Sequence, residues 1–201
     1  EKRVLGQRTP EYISNVKALG RPVRVVCHHE AHAATAYFGS GWDECIVITA
    51  DGWGEDGSAT VWSGSNGAIS LLHRSETINS LGYFYGSITK ALGFIPHRHE
   101  GKVLGLAAYC TRPESYPAIR GMIDYDSSRK RFVGRMENGL YAPNFDNASL
   151  LEFVKKYSRE DVAAAAQNTL EEVVCAMVRD LGGSNLKIAL AGGIFANVKL
   201  N

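Results

Sequence analysis

ECIVITADGWGEDGSATVWSGSNGAISLLHRSE, residues 44–76, decides the fold class of this 201-residue chain. Three runs within it, CIVITAD, SATVWSG and AISLLHR, are rich in β-formers and are parted by glycine-rich turns. That pattern predicts an antiparallel three-strand meander. Upstream, VRVV (residues 23–26) reads as a buried strand, and HHEAHAATAYF (residues 28–38) suits a helix with histidines in its first turn. Downstream, SLGYFYGSITKALGF reads as a helix stopped at Gly93; the loop IPHRHE follows, then a second helix, GKVLGLAAY. Residues 111–147 are mixed, with turns marked by Pro113, Pro117 and Pro143. Ser158 with Asp161 resembles a capping box opening the long helix EDVAAAAQNTLEEVVCAMVRDL, closed by Gly182-Gly183. KIALAGG then reads as a buried strand ending in a tight turn. Strands and helices in this order make an α/β architecture.

Composition narrows the classes of function. A hydrophobic content of 45% and a charged content of 21% suit a globular protein with a sizeable core. The net charge of +1 argues against a surface that coats nucleic acid, and the basic cluster SSRKRFVGR reads as a solvated turn between short strands. No apolar run is long enough to span a membrane, and no signal-peptide pattern opens the chain. Cys27, Cys45, Cys110 and Cys175 form no Cys-x-x-Cys pair; Cys27, Cys45 and Cys175 sit in apolar sequence, which suits reduced thiols and a cytoplasmic protein. The opening EKRVLGQRTPEY and the closing AGGIFANVKLN read as interior sequence, so the chain is expected to be part of a longer one.

Four places carry candidate chemistry. His28 and His32 are four apart and share one helix face, so both imidazoles can reach one ion, while His29 points elsewhere. The spacing is not that of a zinc protease, which needs His-Glu-x-x-His; here His29-Glu30 meets His32 one residue early. Asp51 ends the strand CIVITAD and can supply a third ligand. Two histidines and a carboxylate form a facial set suited to Fe(II), and also to Zn(II) or Mn(II), with positions open for substrate. Alone, an Asp before glycine also reads as a turn former.

The glycine turn is the second place. GWGEDG matches Gly-x-Gly-x-x-Gly formally, but a dinucleotide site needs a helix at the glycines and a strand follows here. Gly52, Gly54, Glu55 and Gly57 can still form a turn whose N–H groups meet a phosphate, or an ordinary hairpin. In HRHEGK, Glu100 and Lys102 stand with His97, Arg98 and His99 at a helix start, where anions are attracted; a solvated charged loop is the alternative. In LAGGIFAN, Gly192 and Gly193, followed by Asn197, let a base or phosphate approach the backbone, or serve a plain strand-to-helix turn.

HHEAHAATAYF, ADGWGEDGSATVW, LGYFYGSITKALGFIPHRHEGKVLGLAAY and AGGIFANVKLN, in this order, resemble the O-carbamoyltransferases of the nodulation and antibiotic-tailoring type. GLAAYC departs at Ala108 and Cys110 from that family's more usual Gly-Leu-Ala-Pro-Tyr-Gly. The resemblance implies a lobe of the actin, sugar-kinase and heat-shock ATPase fold with a mixed sheet, incomplete at both ends. Residues 1–157 would form a first lobe lacking its N-terminal strand and hairpin, and residues 158–201 the connecting helix and the start of a second lobe. It implies a metal on His28, His32 and Asp51, with a further Asp ligand beyond Asn201, and ATP as co-substrate. It also implies nucleotide or carbamoyl-adenylate contacts from Gly52, Gly54, Glu55, Gly57, Glu100, Lys102, Gly192, Gly193 and Asn197.

The implied reaction moves a carbamoyl group from carbamoyl phosphate, through carbamoyl-adenylate, to an alcohol of a small-molecule acceptor. An adenylating domain normally on the same chain makes the intermediate, so these residues alone are expected to be inactive. The base that takes the alcohol's proton is not selected by the sequence. Threonylcarbamoyl transfer to tRNA adenosine is the enzymatic alternative, and a non-catalytic nucleotide- or metal-binding module is the other.

Overall fold

Strand β1 (Glu44–Ala50) is buried on both faces, and the rest of the chain is arranged around it. The structure, a computed structural model, describes residues 14–16, 18, 20, 22, 24–55, 57–182 and 186–201. The meander forms as the sequence predicts: β1 pairs antiparallel with β2 (Ala59–Ser65), and β2 with β3 (Ala68–Ser75). β6 (Ile188–Ala191) lies on the other side of β1 and runs parallel to it, so the sheet is mixed, in the order β3-β2-β1-β6. A separate hairpin, β4 (Ile123–Asp126) with β5 (Arg131–Gly134), is joined by the SSRK turn.

Alternation along β1 divides the core. Cys45 and Val47 face helix α1 (His28–Ser40), packing with Ala33, Tyr37 and Ala189. Ile48 and Ala50 face the opposite layer, made by α2 (Leu81–Ala91), α3 (Glu100–Ala107), α4 (Tyr116–Arg120), α5 (Ala148–Val154) and the 22-residue α6 (Arg159–Asp180). Side chains alternate across a strand, so one strand serves both layers. Ala163, Ala164, Ala165 and Ala166 are all buried, the small residues letting α6 approach its neighbours closely on every side. Full burial of a side chain such as Phe84 or Ile88 is worth about 1.5–3 kcal/mol.

The expected boundary at 157/158 falls between α5 and α6. Helix α6 packs into the same core as α2, α3 and α4, and β6 hydrogen-bonds to β1, so residues on both sides share one core and one sheet. Ser158 does cap α6, accepting from the Asp161 amide at 3.1 Å. Asp161 does not complete a capping box. Its carboxylate instead accepts the Glu114 and Ser115 amides, at 2.5 and 3.0 Å, tying the loop before α4 to the first turn of α6.

Four local expectations need correction. Residues 24–26 form no strand, and Val25 and Val26 are exposed, because no described chain lies beside them to complete a ladder. Cys27 and Cys175 are exposed, the first preceding α1 and the second on the outer face of α6. β6 is only partly buried, since among the described residues it has β1 on one side alone. At the end of α6, Gly182 takes the left-handed φ of +121°, while Gly183 lies outside the described residues. No helix among the described residues is long and apolar enough to cross a membrane.

Two predictions follow from this packing. Asp161→Ala leaves the buried Ser115 amide without a partner and should lower stability by about 2–3 kcal/mol in urea unfolding. Burial alone would raise the Asp124 carboxyl, but hydrogen bonds from Arg135 and Arg120 outweigh it and hold it below its ordinary value. A carboxylate lowered by folding stabilises the native state above its unfolded pKa, near 3.9, and loses that contribution as pH falls through the lower folded value. Asp124→Asn should therefore flatten the acid limb of the stability profile below about pH 4, with wild type losing more across the same interval.

Candidate functional site

Asp51 stands where β1 leaves the sheet, and backbone packing fixes where it points. A Cβ on Gly82 would lie 2.3 Å from the Gly52 Cα, and one on Gly192 2.3 Å from the Ala50 carbonyl oxygen. Neither approach tolerates a side chain, and Gly192 also sits at φ +98°, where an L-residue is strained. Helix α1 begins beside this strand end because the loop after β1 caps it: the His28 amide donates to Glu55 Oε2 at 2.9 Å. That places a carboxylate at the positive end of the helix, where orphan amides need acceptors.

His28 and His32 then project toward Asp51 from successive turns. Their Nε2 atoms lie 3.0 and 3.1 Å from the same oxygen, Asp51 Oδ2. The two rings stand at 89° with centroids 4.6 Å apart, and one ligand atom from each of the three residues lies within 4.8 Å of the others. Burial would push the Asp51 carboxyl up; contacts with His28, the Gly193 amide and His32 outweigh it and hold the group below its usual value.

The donor set fits a divalent ion. A centre with bonds of about 2.1 Å at right angles holds adjacent ligands about 3.0 Å apart, whereas a tetrahedral centre spreads them to about 3.4 Å. The observed 3.0 and 3.1 Å match the right-angled case. They also serve two imidazole N–H groups donating to one carboxylate oxygen.

His29 faces away from this cluster into a buried relay. Its Nε2 lies 3.1 Å from the Gly57 carbonyl, which only accepts, so that nitrogen carries the hydrogen. Nδ1 is then an acceptor for the Thr49 hydroxyl at 2.6 Å; Thr49 accepts from Thr60, and Thr60 from the Trp62 indole. Every donor is assigned, and burial, only partly opposed by the Gly57 carbonyl, lowers the His29 pKa. The relay ties the glycine loop to the sheet.

A cavity of about 340 Å³ opens beside Asp51. The structure brings Asp51, Gly52, Glu100, Gly193 and Asn197 to its wall; His28 and His32 touch Asp51 but do not line the cavity. The other candidates lie off it. Gly54 sits under the His29 ring, where an added Cβ would lie 2.6 Å away, and Gly57 packs on the Ser75 carbonyl. Glu55 is at the start of α1, Lys102 lies over the Phe94 ring, and Gly192 packs on Ala50. Sequence reading missed Tyr85, which lines the cavity, and Gln167, which accepts from it; the available signal was a polar amide following four alanines in the run AAAAQN.

The chain belongs to the family described as carbamoyltransferase N-terminus, whose model matches residues 3–201. An uncharacterized protein of Methanocaldococcus jannaschii is 31% identical over 179 residues, covering 87% of this chain and 34% of the relative. Nodulation protein NolO of Bradyrhizobium diazoefficiens is 30% identical over 186 residues, covering 87% of this chain and 32% of its own length. Nodulation protein NolNO of Sinorhizobium fredii is 28% identical over 192 residues, at 89% and 26% coverage. The chain thus spans about a third of the length of the curated relatives it matches.

Gly82→Ala tests how the strand end is built. A methyl group there must displace Gly52, so stability should fall by about 1–3 kcal/mol in urea unfolding. The Asp51 carboxylate should also leave the two imidazoles, read as loss of their shared chemical-shift perturbation in histidine-detected NMR.

Proposed function

We propose that this chain supplies the metal and nucleotide site of an O-carbamoyltransferase acting on the alcohol of a small-molecule acceptor. The observation that carries the reading is the convergence of His28, His32 and Asp51 on one point, with Asp51 also on the wall of a cavity lined in part by glycines. Family membership supports the class of reaction. A sheet of three antiparallel strands joined to a parallel fourth supports a lobe of the actin and sugar-kinase type. In this reading ATP and carbamoyl phosphate are consumed to form carbamoyl-adenylate, on parts of the protein outside these residues.

The transfer step is then attack by the acceptor hydroxyl oxygen on the carbamoyl carbon. The bond to the phosphate oxygen breaks, AMP departs, and the hydroxyl proton passes to a base. Bound at the cluster, Fe(II), or Zn(II) or Mn(II), supplies Lewis-acid polarisation of the oxygen on which charge develops. His28, His32 and Asp51 would hold it, and of the three Asp51 is the one on the cavity wall, next to where substrate would bind. Gly52 and Gly193 put no side chain of their own on the cavity wall, so the phosphate of the adenylate can come against the backbone there, beside the Asp51 carboxylate that both amides face. Glu100, at the first turn of α3 and on the cavity wall, is placed for a sugar hydroxyl rather than for a phosphate.

The test is metal affinity. Calorimetric titration of the apo-protein with Fe(II) under anaerobic conditions, and with Mn(II) and Zn(II), should give one site per chain. His32→Ala should weaken it about 100-fold or more, since one of three protein ligands is lost. Affinity unchanged in His32→Ala and in Asp51→Asn would mean that the cluster is held by hydrogen bonds alone and the reading is wrong.

A further inference from the structure

A second groove adjoins the cavity. Its wall is mostly apolar: Tyr83, Phe94, Ile95, Pro96, Pro143 and Phe145 line it, with Ile95 exposed. Phe145 is its fixed centre. The ring lies against Gly86, where an added Cβ would come 2.6 Å from Cε1. The loop that carries it is tied to α2 by the Ser87 hydroxyl, which donates to the Asn144 carbonyl at 3.0 Å. Tyr83 and His97 flank the ring, with centroids at 5.3 and 5.0 Å.

His97 lines both the groove and the cavity. On α2, Gly82 lines the cavity and the next residue, Tyr83, lines the groove. His97 holds a φ of +63°, a left-handed backbone that a residue with a side chain adopts at a cost, and its amide donates to Glu100 Oε1 at 2.6 Å. Its Cε1 would lie 3.5 Å from a Cβ on Gly52, the residue after Asp51. A molecule in the groove therefore meets, at His97, the space beside Asp51.

The charges of the groove cancel. Lys90 and Asp146 pair with each other, and Asn144 Oδ1 accepts the Asp146 amide at 2.9 Å. An ionic ligand would find no uncompensated partner, and desolvating an unpaired charge is costly. A sugar carries hydroxyls around its whole rim, whereas the polar side-chain groups left for them are the Tyr83 hydroxyl, the His97 ring and the Asn144 NH₂. A ring with apolar faces needs only what the walls supply.

We propose that this groove seats the acceptor and selects a neutral alcohol carried on an apolar ring, with the ring against Phe145 and the hydroxyl toward His97. This rests on the reading that the carbamoyl donor occupies the cavity.

2-Phenylethanol is the probe, with methyl glucoside as the polar comparison and phenylacetate as the charged one. NMR titration of the protein should show 2-phenylethanol moving the Ile95 methyl and His97 ring signals. Both comparisons should bind about tenfold or more weakly, the cost of unpaired polar groups. Phe145→Ala should weaken the probe about fivefold or more. Ile95→Ser, at an exposed position that leaves the fold intact, should weaken it as well. With Mn(II) on His28, His32 and Asp51, the hydroxymethyl protons of the probe should broaden more than its ring protons. Equal or tighter binding of either comparison overturns the class of acceptor. Probe binding unchanged in both variants overturns the groove, and stronger broadening of the ring protons overturns the orientation; either sinks the proposal. Absence of a Mn(II) site in calorimetry instead overturns the proposed function, and the acceptor assignment with it, even where the probe still binds, so the two failures are distinct.

Discussion

The close backbone contacts at the end of β1 are the constraint on which the site depends. Gly82, at the start of α2, and Gly192, after β6, press on residues 50–52 from two sides, at distances that admit no Cβ. The Ser80 hydroxyl, which accepts from the Tyr83 amide to cap α2, also donates to the Gly52 carbonyl at 2.7 Å, so the cap and the strand end are held by one atom. Interiors packed this tightly do not deform gradually. The direction of Asp51 is therefore a property of three elements at once and not of its own loop.

The same loop works on the other side of the sheet. Glu55 serves the amide at the start of α1, and Gly57 accepts from His29. Helix α1 is thereby set in rotation as well as in position: with His29 pinned into the buried relay, His28 and His32 have to emerge toward Asp51. Three histidines close in sequence thus divide into one that fixes the helix and two that it presents. The division depends on burial, because the Gly57 carbonyl and the two threonines have no water to replace His29.

Much of this was legible in the sequence, for identifiable reasons. The meander was readable because its strands are rich in β-formers and its turns in glycine, both local signals; α2, α3 and α6 carry helical patterns, α2 with a glycine stop at Gly93 and α6 with a serine cap at Ser158. The convergence of His28, His32 and Asp51 was readable because four-residue spacing is a helix face and Asp51 ends an apolar run. What sequence could not supply was pairing at a distance. The bonds of His29 span 20 and 28 residues, and those from Gln167 to Tyr85 and Asn197 span 82 and 30. A run such as VRVV looks like a strand until it is known that nothing described lies beside it. The cysteines misled for a similar reason: an apolar neighbourhood along the chain says little about which side of a helix a thiol occupies, and Cys175 lies on the outer one.

Asp51 shows how the two kinds of information meet. Its Oδ1 accepts the Gly52 amide at 3.3 Å and faces Gly193, while both imidazoles address Oδ2. The backbone thus takes one oxygen and leaves the other to the side chains, which presets the carboxylate to offer a single oxygen with its plane fixed. Outer contacts that orient a ligand in this way are what give a site its geometry before anything binds. Here those contacts come from backbone that Gly82 and Gly192 press upon. Replacing either of those two glycines would disturb the strand end and the carboxylate together, so the precision of the site and the stability of the strand end rest on the same packing.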